Sequence, residues 1–297
     1  MALNLHLLRI FSVVAEHDSI SRAAEAMYIS QPAVTKAVQE LEKQLGVALI
    51  ERGTRGIRLT EIGAVMQEHA RAIFAAEQVA EDELRSLRGL GGGTLRVGAS
   101  LTIANYYLPP LVARFQTQHP LLELILSSNN TETITSLLLD YKLDVALVEG
   151  PVQHDRIAVR KWRDDDMVVV CAAGHALAKR KRLKLSDLDS ADWIVREAGS
   201  GTREVVENAV TERGIVLRTK LEMNSTAAIK QTVANSQALA FVSRLSASDQ
   251  VELGKLCVLP VTDFSLSRPL NYLTLKRRAL SVAARAFEKF IALKAAA

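Results

Sequence analysis

The sequence predicts an α+β protein made of an N-terminal winged helix-turn-helix, one long helix and a larger α/β domain. Three observations predict this. Residues 3–45 carry apolar side chains at helical spacing and are followed by two short strand-like runs around a glycine turn; residues 60–87 hold one long helical seam; and beyond residue 93 strand-like and helix-like runs alternate. A chain of 297 residues is too long for one core of ordinary size. The expected boundaries are 1–60 for the winged unit, 61–88 for the long helix, 89–93 for a hinge and 94–297 for the larger domain.

In the first helix, Leu8, Phe11, Val14 and Ala15 share a face, and Asp18 or Ser19 supplies the cap for a second helix through about Met27. A third helix opens with Ser30 as cap and Pro32 in its first turn, where a missing amide donor costs nothing; it buries Val34, Val38, Leu41 and Leu45, and Gly46 ends it. Leu49-Ile50 and Ile57-Arg58-Leu59 flank Gly53-Thr54-Arg55-Gly56 and read as the two strands of a wing. Thr60 then caps the long helix, whose Ile62, Val65, His69, Ile73, Ala76, Ala80, Leu84 and Leu87 form a narrow seam that needs a partner helix. Glycines 89 and 91–93 cannot continue it.

In the larger domain, strands are expected at 95–97, 122–126, 145–148, 167–172, 193–195 and 239–242. Helices are expected at 108–118, 131–141, 202–213, 226–235 and 281–293, giving a largely parallel sheet.

Composition excludes several classes. No run approaches the roughly 18 to 20 apolar residues that span a bilayer, so a membrane protein is not expected. Arg9, Glu16 and Asp18 interrupt the first apolar stretch and break any signal-peptide core, which points to the cytoplasm. Cys171 and Cys257, far apart in sequence and within apolar segments, read as two buried thiols rather than a disulfide framework or metal site. His69, His154 and His175 lack metal-ligand spacing, no cofactor motif is present, and Ser200 in Gly-Ser-Gly is not a nucleophile elbow, so no enzyme is expected. The net charge of +4 is unevenly placed: residues 1–93 hold 10 Lys and Arg against 12 Asp and Glu, leaving 27 against 21 beyond them. Lys179–Lys184 and Lys276–Arg278 read as solvated surface, so an argument for nucleic acid must rest on local pattern.

That pattern lies in the third helix, whose buried face leaves Gln31, Thr35, Lys36 and Gln39 outward beside Pro32. These side chains can bond base edges or phosphates in a major groove. Arg52, Arg55 and Arg58 bracket the wing turn, where cations can meet phosphate or a minor groove. Simple solvation of Gln39 or of any one wing arginine is the alternative.

Residues 19–45, with Ala23-Ala24, Ser30-Gln31-Pro32-Ala33 and Leu41-Glu42, then Gly46-Val47, Leu49, Glu51-Arg52 and Leu59-Thr60-Glu61-Ile62-Gly63, resemble the LysR-type transcriptional regulators. Met27 and Ile50 stand where that family often has leucine and phenylalanine, and both positions stay apolar. The resemblance covers the whole chain. It implies double-stranded DNA with an inverted-repeat operator as partner, a dimerising linker helix, a homodimer assembling to a homotetramer, and contact with RNA polymerase. It also implies an effector domain of periplasmic-binding-protein type, with subdomain I at about 94–163 and 268–297 and subdomain II at about 164–267.

Ligands in open α/β sheets sit at the carboxyl ends of strands. That rule selects Ser100, Leu101 and Thr102, then Asn129 and Asn130, then Ser200, Gly201 and Thr202, as the effector-binding residues. The Gly-Ser-Gly-Thr-Arg segment is similar to that of family members responding to small inorganic or carboxylate anions, so a small anionic effector is expected. Two alternatives stay open: Ser200 and Thr202 only cap the following helix, or the chain is a solute receptor or α/β enzyme with a helical interaction module.

Overall fold

The computed structural model describes residues 3–53, 56–87 and 92–295. Two compact units result, Met1–Glu83 and Leu84–Ala297.

The first unit contains α1 (Leu5–His17), α2 (Ile20–Met27), α3 (Gln31–Leu45), β1 (Ile50–Gly53), β2 (Gly56–Leu59) and most of α4 (Glu61–Leu87). Asp18 takes a left-handed φ of 49° and closes α1, so Ser19 caps α2 alone, its hydroxyl accepting from the Arg22 N–H at 3.3 Å. Ala23 and Ala24 lie buried against Ile10, Val14, Val34 and Val38, and their small size lets α2 approach its neighbours. At the end of α3, Glu42 Oε1 accepts from the N–H groups of Leu49 and Ile50 at 2.7 and 3.1 Å, which fixes where the chain turns into β1. β1 and β2 pair antiparallel from Ile50 opposite Leu59 to Gly53 opposite Gly56.

The long helix begins as its sequence requires. Thr60 donates to the Ala48 carbonyl at 2.8 Å and accepts from the Gly63 N–H at 2.9 Å. One face of α4 completes a core of Leu8, Phe11, Leu41, Leu49 and Ala70, and full burial of each large side chain contributes about 1.5–3 kcal/mol. Arg9 holds the same face, its guanidinium 4.0 Å from the Phe74 ring centre and paired with Glu77. Ile73, expected in the outward seam, packs instead into this core. Ile62, Val65 and Leu84 remain about half exposed, at 49%, 52% and 57%. Of the expected hinge, residues 89–91 lie outside the described residues, as does the side chain of Leu87.

The second unit runs β3 (Thr94–Ser100), α5 (Pro109–Gln118), β4 (Glu123–Asn129), α6 (Thr131–Leu139), β5 (Val145–Glu149), β6 (Ile157–Ala172), β7 (Asp192–Arg196) and α7 (Gly201–Thr211). It continues through β8 (Arg218–Met223), α8 (Thr226–Ala234), β9 (Ala240–Ser243), α9 (Arg244–Glu252), β10 (Leu256–Val258), β11 (Leu266–Leu275) and α10 (Val282–Ala295). The sheet is mixed, not largely parallel. β3 pairs parallel with β4 and β5, but β11 runs antiparallel to β5 and β6, and β9 and β10 pair antiparallel with β6. A separate parallel pair joins β7 and β8.

Two lobes form along this sheet. Leu95, Val97, Phe115, Val145, Leu147, Leu270, Tyr272 and Phe287 build one core, whereas Val169, Cys171, Trp193, Val206, Leu239 and Phe241 build the other. β6 and β11 cross from lobe to lobe, with a register shift between Leu270 and Asn271.

Gly63 gives the first unit a direct test. A Cβ there would lie 1.9 Å from the Leu49 carbonyl oxygen, a backbone atom that cannot swing aside. Helix propensity alone favours alanine by about 1 kcal/mol. Gly63→Ala is nevertheless expected to destabilise the N-terminal unit by about 1–3 kcal/mol through overpacking, read as a lower melting temperature. An unchanged or raised melt would show that α4 does not depend on this approach.

Candidate nucleic-acid interface and effector site

On α3 the outward residues are positioned by the helix period. Val34, Ala37, Val38 and Leu41 are buried, which leaves Gln31, Pro32, Lys36 and Gln39 exposed and Thr35 half-buried. The Ser30 hydroxyl accepts from the Ala33 N–H at 3.4 Å, so the first turn of α3, with its positive dipole end, stands beside Gln31 and Pro32. Arg58 is exposed on β2, Arg52 lies on β1 with its side chain outside the described residues, and Arg55 is outside them altogether. Tyr28, which sequence reasoning passed over, is 96% exposed between α2 and α3 and holds a left-handed φ of 55°.

In the second unit the three selected strand ends converge, but the hydroxyls of Ser100, Thr102 and Thr202 are already engaged. Glu149, at the end of β5 and 1% exposed, accepts from Ser100 at Oε2, and at Oε1 from Thr102 at 3.4 Å and Thr202 at 3.1 Å. Arg268 on β11 is fully buried and sits opposite Asp165 on β6 in the strand register. Its Nε and Nη2 both lie 2.8 Å from Asp165 Oδ2, while it donates to Thr202 at 2.6 Å and Thr102 at 3.4 Å and stands 3.8 Å from Glu149 Oε1. Asp165 Oδ1 accepts from the Tyr107 hydroxyl at 2.7 Å and the Ser243 hydroxyl at 2.6 Å. Burial, then the bond to Asp165, pushes the Tyr107 phenol well above its ordinary range, so it remains a donor.

Close backbone approach draws these strand ends together. The Thr131 hydroxyl donates to the Glu149 carbonyl at 2.9 Å, and a Cβ on Gly201 would lie 1.8 Å from that same carbonyl oxygen. From the opposite lobe, Gly199 O accepts from the Glu132 N–H at 3.1 Å and Ala198 O from the Asn130 side chain at 3.4 Å. Asn130 also caps α6 through its Oδ1, Asn129 is exposed and Leu101 half-buried.

Neither Ser200 nor Thr202 caps α7. Ser200 occupies the cap position with no side-chain cap bond, and its hydroxyl, in a residue 3% exposed, has no hydrogen-bond partner. Thr202 belongs to the Glu149–Arg268 network. Arg203 is held by Glu207 at 2.7 Å and Glu222 at 2.6 Å. Nearby, burial works to raise the Glu197 carboxyl, but two hydrogen bonds from Arg196 outweigh it and leave it below its ordinary value. Arg278, expected as solvated surface, is instead half-buried on Asp144 at 2.7 Å and the Leu143 carbonyl at 2.6 Å.

A winged helix-turn-helix followed by a bilobed α/β domain is the organisation of a one-chain DNA-binding regulator with an attached sensing domain. Residues 5–64 match the family described as bacterial regulatory helix-turn-helix protein, lysR family, and residues 88–295 match the LysR substrate binding domain. The chain belongs to the LysR family of transcriptional regulators, a family of regulators and not of enzymes.

It is similar to the RuBisCO operon transcriptional regulator of Allochromatium vinosum, 34% identical and covering 100% of this chain and 98% of that one. It is also similar to the uncharacterized regulator YeiE of Escherichia coli, 33% identical over 97% and 96% of the two chains. Among solved structures, full-length OxyR from Pseudomonas aeruginosa aligns at a TM-score of 0.77 with 24% identity, covering 99% of this chain and 95% of that chain. The regulatory domain of Synechocystis CcmR in complex with 2-PG aligns at 0.64 with 26% identity, covering 69% and 97%.

The buried network predicts a large loss on truncation. Arg268→Met leaves the buried Asp165 and Glu149 without their guanidinium, and is expected to cost about 3–5 kcal/mol in the second unit. Denaturant unfolding of the full chain reads this, and a loss below about 1 kcal/mol would show that the network relaxes without its cation.

Proposed function

We propose that the protein binds an inverted repeat in double-stranded DNA as a two-fold dimer and changes its grip when a small anion enters the cleft of the second unit. Gln31, Thr35, Lys36 and Gln39, with Pro32 seated in the same turn, form the base-reading and phosphate-reading surface, and Arg52, Arg55 and Arg58 brace the DNA backbone from the wing. The exposed apolar face of α4 at Ile62, Val65 and Leu84 supports a partner helix from a second copy. A two-fold protein pairs with a two-fold operator. Assembly to a tetramer, contact with RNA polymerase and a cytoplasmic location belong to the same reading. Among the described residues no helix is long and apolar enough to cross a membrane.

One observation carries the sensing half. The Ser200 hydroxyl is buried and unpartnered at the uncapped start of α7, where the helix presents its positive end. An anionic oxygen, from a carboxylate or a sulfur oxyanion, would accept from that hydroxyl and from the amides of the first turn of α7. Ser100, Thr102 and Thr202 then form the floor of the site, held by Glu149 and Arg268, with Gly201 beside them and Leu101, Asn129 and Asn130 at its edge. The CcmR regulatory domain solved with 2-PG supports a small molecule as the ligand of such a domain. The effector acts by binding one arrangement of the domain more tightly than the other.

Two measurements test this. Footprinting and mobility shift on fragments that include the region upstream of the protein's own gene are expected to reveal a protected inverted repeat. With roughly six phosphate contacts, affinity should fall about a thousandfold between about 50 and 200 mM salt. A folded, dimeric protein that protects no site would sink the DNA reading. Ser200→Ala removes an orphaned polar group, so the variant should be no less stable than the parent, with a gain of up to about 3 kcal/mol. Its operator binding should survive while its response to a panel of carboxylates and sulfur oxyanions is lost; a full response in this variant would remove the anion from α7.

A further inference from the structure

Cys171 and Cys257, far apart in sequence, are direct partners across the antiparallel pair of β6 and β10. The pair is flanked by bonds from the Ala173 N–H to the Lys255 carbonyl at 3.1 Å and from the Leu259 N–H to the Val169 carbonyl at 2.9 Å. Directly opposed residues in a hydrogen-bonded register have Cα atoms ~5.5 Å apart and project from one face of the sheet. A disulfide spans Cα distances of about 4.4–6.8 Å, with Cβ atoms roughly 3.5–4.5 Å apart. β10 is only three residues long and lies at the sheet edge, so the small inward shift that a bond requires falls on a short edge strand. Cys171 is completely buried and Cys257 is partly exposed.

The geometry points to Cys171 and Cys257 as a dithiol site that a hydroperoxide converts to an intramolecular disulfide. Cys257, the more exposed of the two residues, meets the oxidant. Its thiolate attacks one peroxide oxygen, forming an S–O bond as the O–O bond breaks, and for hydrogen peroxide the departing hydroxide takes up a proton to become water. Cys171 then attacks the Cys257 sulfenic sulfur. The S–S bond forms, the S–O bond breaks, and the leaving hydroxide takes the Cys171 proton as a second water. Two thiols are oxidised by two electrons, and one peroxide is reduced to two waters.

The two sulfurs have different characters. Burial pushes the Cys171 thiol up to about 12, reinforced by the adjacent Cys257 sulfur, so Cys171 is a poor nucleophile toward anything in solution. It reacts because its partner stands directly opposite it in the strand register. The Cys257 thiol meanwhile donates to the Val258 carbonyl at 3.5 Å, which keeps it beside β6. This site does not depend on the effector reading: Asp165, the nearest member of the buried network on β6, is six residues from Cys171, ~20 Å along an extended strand.

The test uses the full chain treated with hydrogen peroxide, then denatured and alkylated, with intact mass and peptide mapping. The expected product is lighter by two hydrogen atoms, takes up no alkyl groups, and yields one peptide linking Cys171 to Cys257 that dithiothreitol separates. Cys171→Ser should accumulate a Cys257 sulfenic acid trapped by dimedone, and Cys257→Ser should leave Cys171 reduced at the same peroxide dose. The wild-type measurement needs no variant to fold. Alkylation of both thiols after peroxide would overturn the proposal, as would a sulfinic or sulfonic Cys257 beside a free Cys171.

Discussion

A guanidinium with no access to water constrains everything around it, and Arg268 is in that position at the centre of the second unit. Withdrawing such a charge costs several kcal/mol unless its donors are satisfied, and here they are met from four directions. Asp165 stands opposite it in the strand register, Thr102 and Thr202 accept from it, and Glu149 lies 3.8 Å away. Each partner arrives on a different element. The start of α7 therefore has to press against the end of β5, which is why Gly201 faces the Glu149 carbonyl at a distance no side chain could tolerate.

The same network changes what the strand-end hydroxyls can do. Ser, Thr and Gly at a strand-to-helix junction suggest free donors awaiting a ligand, yet Ser100, Thr102 and Thr202 all donate to Glu149, and the two threonines also accept from Arg268. Ser200 differs because the loop that carries it is pinned by Gly199 and Ala198 to the start of α6, leaving its hydroxyl buried and unmet. A buried hydroxyl without a partner costs about 1–3 kcal/mol, and a ligand that supplies the partner recovers it.

Much of the first unit was legible in the sequence because its signals are local. Caps at Ser19 and Ser30, Pro32 at a helix start, Gly46 at a helix end and the period of buried apolar residues each act within one turn. In the second unit the parallel strands β3 and β5 and the helices between them could be read in the same way. The first half of β6 could not. Residues 160–166 read Arg-Lys-Trp-Arg-Asp-Asp-Asp, a charged run that hides its alternation, and only the pairing of Asp165 with Arg268 explains a carboxylate there. Glu149 closes an apolar run, and Arg268 stands between Leu266 and Leu270. A charge embedded in an otherwise apolar strand was the available signal, but its meaning lay in a partner about a hundred residues away. Cys171 and Cys257 were separated for the same reason, since register is a property of the sheet.

The register shift at Leu270 and Asn271 bears on how the two lobes can move. Because β6 and β11 pass hydrogen-bonded through both, splaying these two strands apart within their own plane would break ladder bonds between them. Twisting such a ribbon breaks none, and a bulge is where a paired strand most readily takes up extra twist. The joint between the lobes is thus a paired ribbon, stiff within its own plane and most compliant in twist where its register slips.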